Sequence, residues 1–139
     1  MKRQIKFRIW NGQQMEYNIM AGFLGAFYVQ GIDEKDSASM SPFNAKYENA
    51  PLMQFIGLKD KQGKEIYEGD IYDIYESKDA NTTEAGILKY SNCDVVFNAG
   101  CFCFNVPVRP LGRVALPIYF ENGREWIYKG TIYENPELL

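Results

Sequence analysis

The sequence predicts a mainly β fold built from short hairpins, and three observations support this. Apolar and polar residues alternate with period two over much of the chain, which is typical of strands with one buried face. Tyrosine (10 residues) and phenylalanine (9) are abundant, and aromatic residues favour strands. Glycine and asparagine interrupt the alternation at short intervals, as turns do. We therefore expect few helices, all of them short.

The first hairpin is predicted at the start of the chain, where apolar residues share one face on both sides of a turn. A three-residue Asn-Gly-Gln loop pairs Ile9 with Met15, and on the reverse face it pairs Arg8 with Glu16. A two-residue Asn-Gly loop would place Phe7 opposite Glu16 instead. The longer loop is preferred, because a slip of one residue turns every apolar side chain to the wrong face.

Two further hairpins follow from local turn signals. A loop over residues 61–63, closed by a glycine with positive φ, pairs Leu58 with Ile66. The later Asn-Gly dipeptide fits a two-residue turn, which pairs Tyr119 with Trp126. Shorter strands are predicted between these hairpins. They cover Ala85–Tyr90, Asp94–Asn98 and Cys101–Arg109, with breaks at Ser91-Asn92 and Ala99-Gly100.

The length of 139 residues predicts a single domain. We divide it into a hairpin subregion over about residues 1–50 and a barrel-like subregion over about residues 51–139. The segment 67–71 is similar to the tight entry into a strand of SH3-like barrels. The predicted architecture is therefore an N-terminal β-hairpin packed on a small, bent SH3-like barrel sheet. Two polar stretches, 31–50 and 77–84, are predicted as loops.

Composition narrows the function further. The net charge of -3 provides no overall positive field to gather phosphates, which disfavours nucleic acid. No apolar run could span a bilayer and the start lacks a signal-like segment, so we expect a cytoplasmic protein with no membrane partner.

Histidine is absent, which removes Ser-His and Cys-His nucleophile pairs and histidine zinc ligands. The three cysteines are expected to be free thiols.

Three segments of the chain resemble the YopX family of bacteriophage and prophage proteins. They are LMQFIGLKDKQGKEIYEGDI (52–71), GTIYENPELL (130–139) and IKFRIW (5–10). The resemblance is weaker over 21–47 and 76–114. It implies a small, mainly β protein, and it implies no established activity, substrate, cofactor or catalytic residue. The chain departs from the family at Ile56, where members commonly carry Thr or Ser, so a role for that hydroxyl cannot apply here.

Two groups of chemically active side chains could form a site, but each also has a plainer structural role. Three thiols with Asp94 are enough ligands for zinc, but free cysteine is among the most buried residue types, so we predict core thiols and no metal. Four carboxylates of the central segment could act as acid and base, but turn chemistry explains them with fewer assumptions, so we predict no catalytic residue. The thiols are Cys93, Cys101 and Cys103, and the carboxylates are Asp60, Glu65, Glu68 and Asp70.

Two surfaces are candidates for binding. A basic strand that carries an aromatic ring could hold single-stranded nucleic acid, although a solvated sheet face explains it equally. Tyrosine and tryptophan are more numerous than one small core needs, and such rings are favoured at protein interfaces. The basic strand presents Lys6, Arg8 and Trp10, and the candidate protein interface presents Tyr72, Tyr75, Trp126 and Tyr128.

These observations favour a non-catalytic phage accessory protein that binds a phage or host protein, with self-association into a homo-oligomer as a further expectation. Nucleic-acid binding through the basic strand is the alternative. An enzyme with carboxylate chemistry is the second alternative. No cofactor is expected.

Overall fold

The computed structural model describes residues 4–21, 27–29, 50–76, 86–118 and 124–139. In this part the chain forms ten strands and one short 3₁₀ helix. The strands are β1 (Phe7–Trp10), β2 (Met15–Ala21), β3 (Phe27–Val29), β4 (Leu52–Lys59), β5 (Glu65–Tyr67), β6 (Asp70–Glu76), β7 (Ile87–Asn98), β8 (Cys101–Val108), β9 (Gly112–Pro117) and β10 (Arg124–Thr131), and the helix is Pro136–Leu138.

The strands form two sheets of five strands each. The first has the order β3-β2-β1-β4-β5, and the second has the order β10-β6-β7-β8-β9. One of the two sheets is curled into a half-barrel, so the predicted mainly β fold with a bent, barrel-like sheet is confirmed. By compactness the chain divides into two units, Met1–Gly57 and Leu58–Leu139, and the division falls within β4. Among the described helices, none is both long and apolar enough to cross a membrane.

Each unit buries its own apolar side chains. In the first unit Ile9 and Ile19 are buried, with Phe7 and Ala50 packed against them. In the second unit the largest fully buried apolar side chains are Tyr72, Ile66, Ile71, Val95 and Val106. Removal of this surface from water is the main favourable term in folding.

The predicted register of the first hairpin is wrong by one residue. Trp10 pairs with Met15 and Ile9 pairs with Glu16, so the loop contains four residues. Arg8 therefore does not lie opposite Glu16. On its other side β1 pairs with β4, where Arg8 lies opposite Met53.

The side chain of Asn11 explains the longer loop. Its Oδ1 accepts the backbone N–H groups of Gln13 and Gln14, each at 2.9 Å, which is the turn chemistry that asparagine favours. A bulge then shifts the pairing again, so that Phe7 lies opposite Ile19. The bulge restores two apolar residues to opposite positions, an adjustment that a uniform register cannot predict.

The loop of the second hairpin is confirmed. The backbone N–H of Asp60 donates to the carbonyl of Lys64 at 2.9 Å, and Gly63 N–H donates to Asp60 at 3.0 Å. Gly63 has a φ of +84°, as the predicted turn requires. The Asp60 carboxylate also accepts the N–H groups of Gln62 and Lys64, at 3.0 and 2.9 Å.

The turn and most of the first strand of the third predicted hairpin lie outside the described residues. In the described residues β9 pairs with β8, and β10 pairs with β6, so these two strands lie at opposite ends of the strand order. Trp126 lies opposite Ile74. Its predicted partner Tyr119 and the Asn-Gly turn lie outside the described residues. The same holds for the predicted loops 31–50 and 77–84, except for residue 50.

The prediction of two short strands before residue 99 is also wrong, because β7 runs unbroken through Ser91-Asn92. A bulge absorbs the extra residue where Tyr72 pairs with Cys93 and Ile74 pairs with Tyr90. Asn92 has a φ of +52°, and its N–H donates to the Asp73 carboxylate at 2.9 Å. The polar pair therefore bends the strand and does not end it.

The next break is confirmed as a hairpin turn. Asn98 pairs with Cys101, which leaves a two-residue turn whose residues, Ala99 and Gly100, have φ values of +49° and +84°. Two positive φ values are the mark of the type I′ turn, whose twist matches that of the flanking strands.

The central and C-terminal segments meet at Gly69. Its N–H donates to the Val95 carbonyl at 2.8 Å, and its carbonyl accepts the N–H of Ile132 at 2.9 Å. Beside it Asp70 pairs with Thr131. The 52–71 and 130–139 segments are therefore neighbours in space. The short 3₁₀ helix Pro136–Leu138 follows β10.

Candidate functional site

An aromatic cluster occupies the core of the second unit. The ring of Tyr72 meets Phe104 and Tyr128 edge to face, with centroids 5.9 and 5.7 Å apart. Trp126 meets Phe104 in the same way at 5.2 Å. Such pairs stabilise by about 0.5–1.5 kcal/mol beyond their buried area. Two of the four proposed interface residues, Tyr72 and Trp126, are thus core side chains.

The other two proposed interface residues, Tyr75 and Tyr128, are half-buried. The Lys64 ammonium lies over the Tyr128 ring, 4.2 Å from its centroid, a cation–π contact. Tyr128 therefore contacts both the core cluster and a charged side chain of the β4–β5 loop region.

The Tyr72 hydroxyl lies close to a buried carboxylate. It donates to Asp60 Oδ2 at 3.4 Å, while Asp60 Oδ1 accepts two backbone N–H groups of the β4–β5 loop. Burial raises the pKa of Tyr72 far above its ordinary value, and the charges of Asp70 and Asp60 raise it further. The phenol stays protonated at neutral pH, so this arrangement suits a structural bond and not proton abstraction.

Three more buried carboxylates are held by donors of the same unit. Asp70 Oδ2 accepts the N–H of Tyr67 at 2.9 Å. Asp73 accepts the Asn92 N–H, and Lys129 Nζ lies 3.4 Å from its other oxygen. Asp94 Oδ1 accepts from Asn105 and from Arg113 Nη1, at 3.1 and 3.0 Å. Glu65 lies in reach of the Tyr67 hydroxyl at 3.1 Å. Through these contacts, each carboxylate stabilises a turn, a bulge or a pair of strands.

The thiols separate into one buried residue and one pair. Cys93 is fully buried on β7, and burial raises the pKa of its thiol. Cys101 and Cys103 share one face of β8, with their sulfurs 3.5 Å apart. Among the described residues no group of three or more cysteine and carboxylate side chains is placed to hold a metal, so the three thiols with Asp94 do not converge.

The basic strand of the first unit is less open than a nucleic-acid surface requires. Arg8 has no exposed surface. Lys6 Nζ lies 5.3 Å from the centroid of the Phe55 ring, and both Lys6 and Trp10 are half-buried.

A pocket lined by side chains of the second sheet is small. Side chains from all five strands line it, among them Ile74, Tyr90, Phe104, Leu116 and Trp126. The space open to the centre of a water molecule is about 20 Å³, room for about one or two waters. A metabolite does not fit in it.

An aromatic pair, one ring exposed and the other half-buried, lies at the end of the β7–β8 hairpin. Phe97 is 58% exposed and lies directly opposite Phe102, with ring centroids 5.1 Å apart. We call these two side chains the hairpin tip. Sequence reasoning missed Phe97 as a site residue. The signal was its position one residue before Asn98, the last residue of β7.

Comparison with known proteins places the chain in a family. The family model described as YopX protein matches residues 6–139. No curated protein matches. Among solved structures, the chain is similar to protein yopX from Bacillus subtilis, at 23% identity and a TM-score of 0.55, over 96% of this chain and 97% of that one. It is also similar to a protein from Enterococcus faecalis, at 23% identity and a TM-score of 0.54, over 99% of both chains.

These two likenesses concern the fold, whereas the family match extends over almost the whole chain. It covers the three segments 5–10, 52–71 and 130–139 except for residue 5, and it includes the regions between them. The chain belongs to the YopX family.

Proposed function

We propose that this chain is a non-catalytic protein-binding module, and that the hairpin tip of Phe97 and Phe102 contacts the partner. The observation that carries the proposal is the 58% exposure of Phe97 beside a type I′ turn. Aromatic side chains in well-packed contacts dominate the energetics of protein interfaces. The partner is a phage or host protein with an apolar pocket for an aromatic ring.

Rigidity supports this role. The turn is two residues long, and the rings of Phe97 and Phe102 contact each other across the strands. A side chain that is already ordered loses little conformational entropy when it binds. Phe102 also shares a face with Phe104, whose ring lies in the core cluster, so an aromatic row runs from the core to the surface.

The test is affinity capture of the tagged chain from phage-producing cells, with and without nuclease, for the wild type, Phe97→Ser and Leu111→Ser. Leu111 is the matched control, because it is 74% exposed at a different hairpin. We expect one protein to be retained by the wild type and by Leu111→Ser, and to be lost from Phe97→Ser. Equal retention by all three variants would overturn the role of the tip.

Self-association is tested on the same variants by sedimentation at several concentrations. If the wild type forms a dimer that Phe97→Ser does not, the partner is a second copy of the chain. If the partner is lost upon nuclease treatment, the protein-binding proposal fails, and the basic strand becomes the site to examine.

The nucleic-acid alternative has weaker support. A cation that binds phosphate must reach the surface, and Arg8 is fully buried. The net charge of -3 also repels the phosphate backbone. For the enzymatic alternative, the carboxylates of Asp60, Asp70, Asp73 and Asp94 already accept structural hydrogen bonds, which weakens the support for acid–base chemistry.

A further inference from the structure

Two thiols stand side by side at the start of β8. Cys101 and Cys103 are two residues apart, so the period of the strand puts both on one face, and their sulfurs are 3.5 Å apart. The backbone carbonyl of Asn98 lies across the turn, 3.5 Å from Cys101 Sγ and 4.0 Å from Cys103 Sγ. Two sulfurs and one oxygen therefore converge on the same side of the hairpin.

The spacing of the sulfurs fits a shared metal better than a disulfide. A disulfide needs sulfurs about 2.05 Å apart and Cβ atoms about 3.8 Å apart. Residues two apart in a strand are separated by about 6.6 Å, near the upper limit for a disulfide, and their side chains are parallel. Two thiolates bound to one tetrahedral zinc at about 2.3 Å are instead about 3.8 Å apart.

We propose that Cys101 and Cys103, with the carbonyl of Asn98, bind one thiophilic divalent ion of the zinc and cadmium class. Cys101 is half-buried, whereas Asn98, Ala99 and Gly100 are exposed, so the ion has an entry path and a water molecule can complete a tetrahedron. The site lies on the opposite face of β8 from Phe102 and Phe104, and it is independent of the proposed protein contact.

The test is titration of the reduced protein with Cd²⁺, followed by the ultraviolet charge-transfer absorption that arises only when thiolate binds the metal, with Zn²⁺ as competitor. We expect one Cd²⁺ per chain, two thiolates per ion, and displacement by Zn²⁺. Cys101→Ala and Cys103→Ala should each lose at least about tenfold in affinity, since loss of even an outer partner of a ligand costs about 10- to 100-fold.

Cys93→Ala is the matched control, because Cys93 is as buried as Cys103 and stands on another strand. It should bind Cd²⁺ as the wild type does. The proposal is overturned if Cys93→Ala loses binding as much as Cys101→Ala, or if Cys101→Ala binds normally. Cys101 is only half-buried, so its variant should keep the wild-type circular dichroism even if Cys103→Ala fails to fold.

Discussion

A single glycine limits what can stand at the end of β10. Gly130 has a φ of +152°, and a Cβ built on it would overlap the Asn135 side chain, 2.7 Å from its Cγ. Thr131 follows and is buried, and its Oγ1 accepts the N–H of Glu134 at 3.0 Å. The segment that follows β10 is thus held by contacts that leave no room for a methyl group at position 130.

Gly130→Ala should lower the free energy of unfolding by about 3 kcal/mol or more, because strain and overpacking add. Gly112→Ala is the control. Gly112 has a φ of +81° but nothing within 4 Å of its Cβ position, so only the backbone strain of about 1–2 kcal/mol applies. Urea denaturation of both variants measures the difference. Equal losses would show that the contact with Asn135 is unimportant.

Tyr72 should make stability depend on alkaline pH. Its folded pKa is raised, so the contribution is fully present below the unfolded value of about 10 and is lost as pH rises above it. The wild type should lose up to about 1.4 kcal/mol per pH unit in that range. Tyr72→Phe should show a shallower loss, whereas Tyr17→Phe, a change at an exposed ring, should follow the wild type. Urea midpoints at pH 8 and 11 decide between them.

At the scale of the element, the β7–β8 turn contains backbone strain that a glycine would relieve. Ala99 has a φ of +49°, a conformation that costs an L-residue about 1 kcal/mol and costs glycine nothing. Ala99→Gly should therefore raise the free energy of unfolding by up to about 1 kcal/mol. Ala115→Gly within β9 should lower it by about 0.5–1 kcal/mol. A fall in thermal stability for both variants would contradict the turn assignment.

Hairpins were predictable where the turn residues decide the geometry. The β4–β5 loop follows from Gly63, and the β7–β8 turn follows from Gly100. The predicted register of the first hairpin was wrong because the side-chain oxygen of Asn11 accepts two backbone N–H groups. These hydrogen bonds lengthen the loop, and the alternation of apolar and polar residues does not reveal them. The pairing of β10 with β6, a partner about 50 residues distant in sequence, could not be predicted from local turn signals.

The candidate site was less predictable than the strands. Aromatic abundance indicated rings at a surface, but which rings are buried depends on the tertiary packing, which places Tyr72 and Trp126 in the core and leaves Phe97 exposed. The shared face of Cys101 and Cys103 could be predicted, because it needs only the period of one strand. The distance of Cys93 from them depends on register between strands, which the sequence does not fix locally.

Across the whole molecule, the backbone of Gly69 links three distant parts of the second unit. Its N–H binds Val95, and its carbonyl binds Ile132. We expect the amides of Gly69 and Ile132 to exchange with solvent as slowly as those in β6 and β7, although neither residue lies in a strand. Leu139, in the terminal turn, is the fast-exchanging control. Hydrogen exchange followed by NMR tests this, and rapid exchange at Ile132 would show that the last segment opens independently.

The two tryptophans of the sequence fall one to each unit. Trp10 is in the first, and Trp126 is in the aromatic cluster of the second. Each unit thus carries its own intrinsic fluorophore. Trp10→Phe and Trp126→Phe each leave one tryptophan, whose fluorescence reports the unfolding of one unit. Coincident denaturation curves for the two variants would mean that the two units unfold cooperatively. Separated curves would give the stability of each unit.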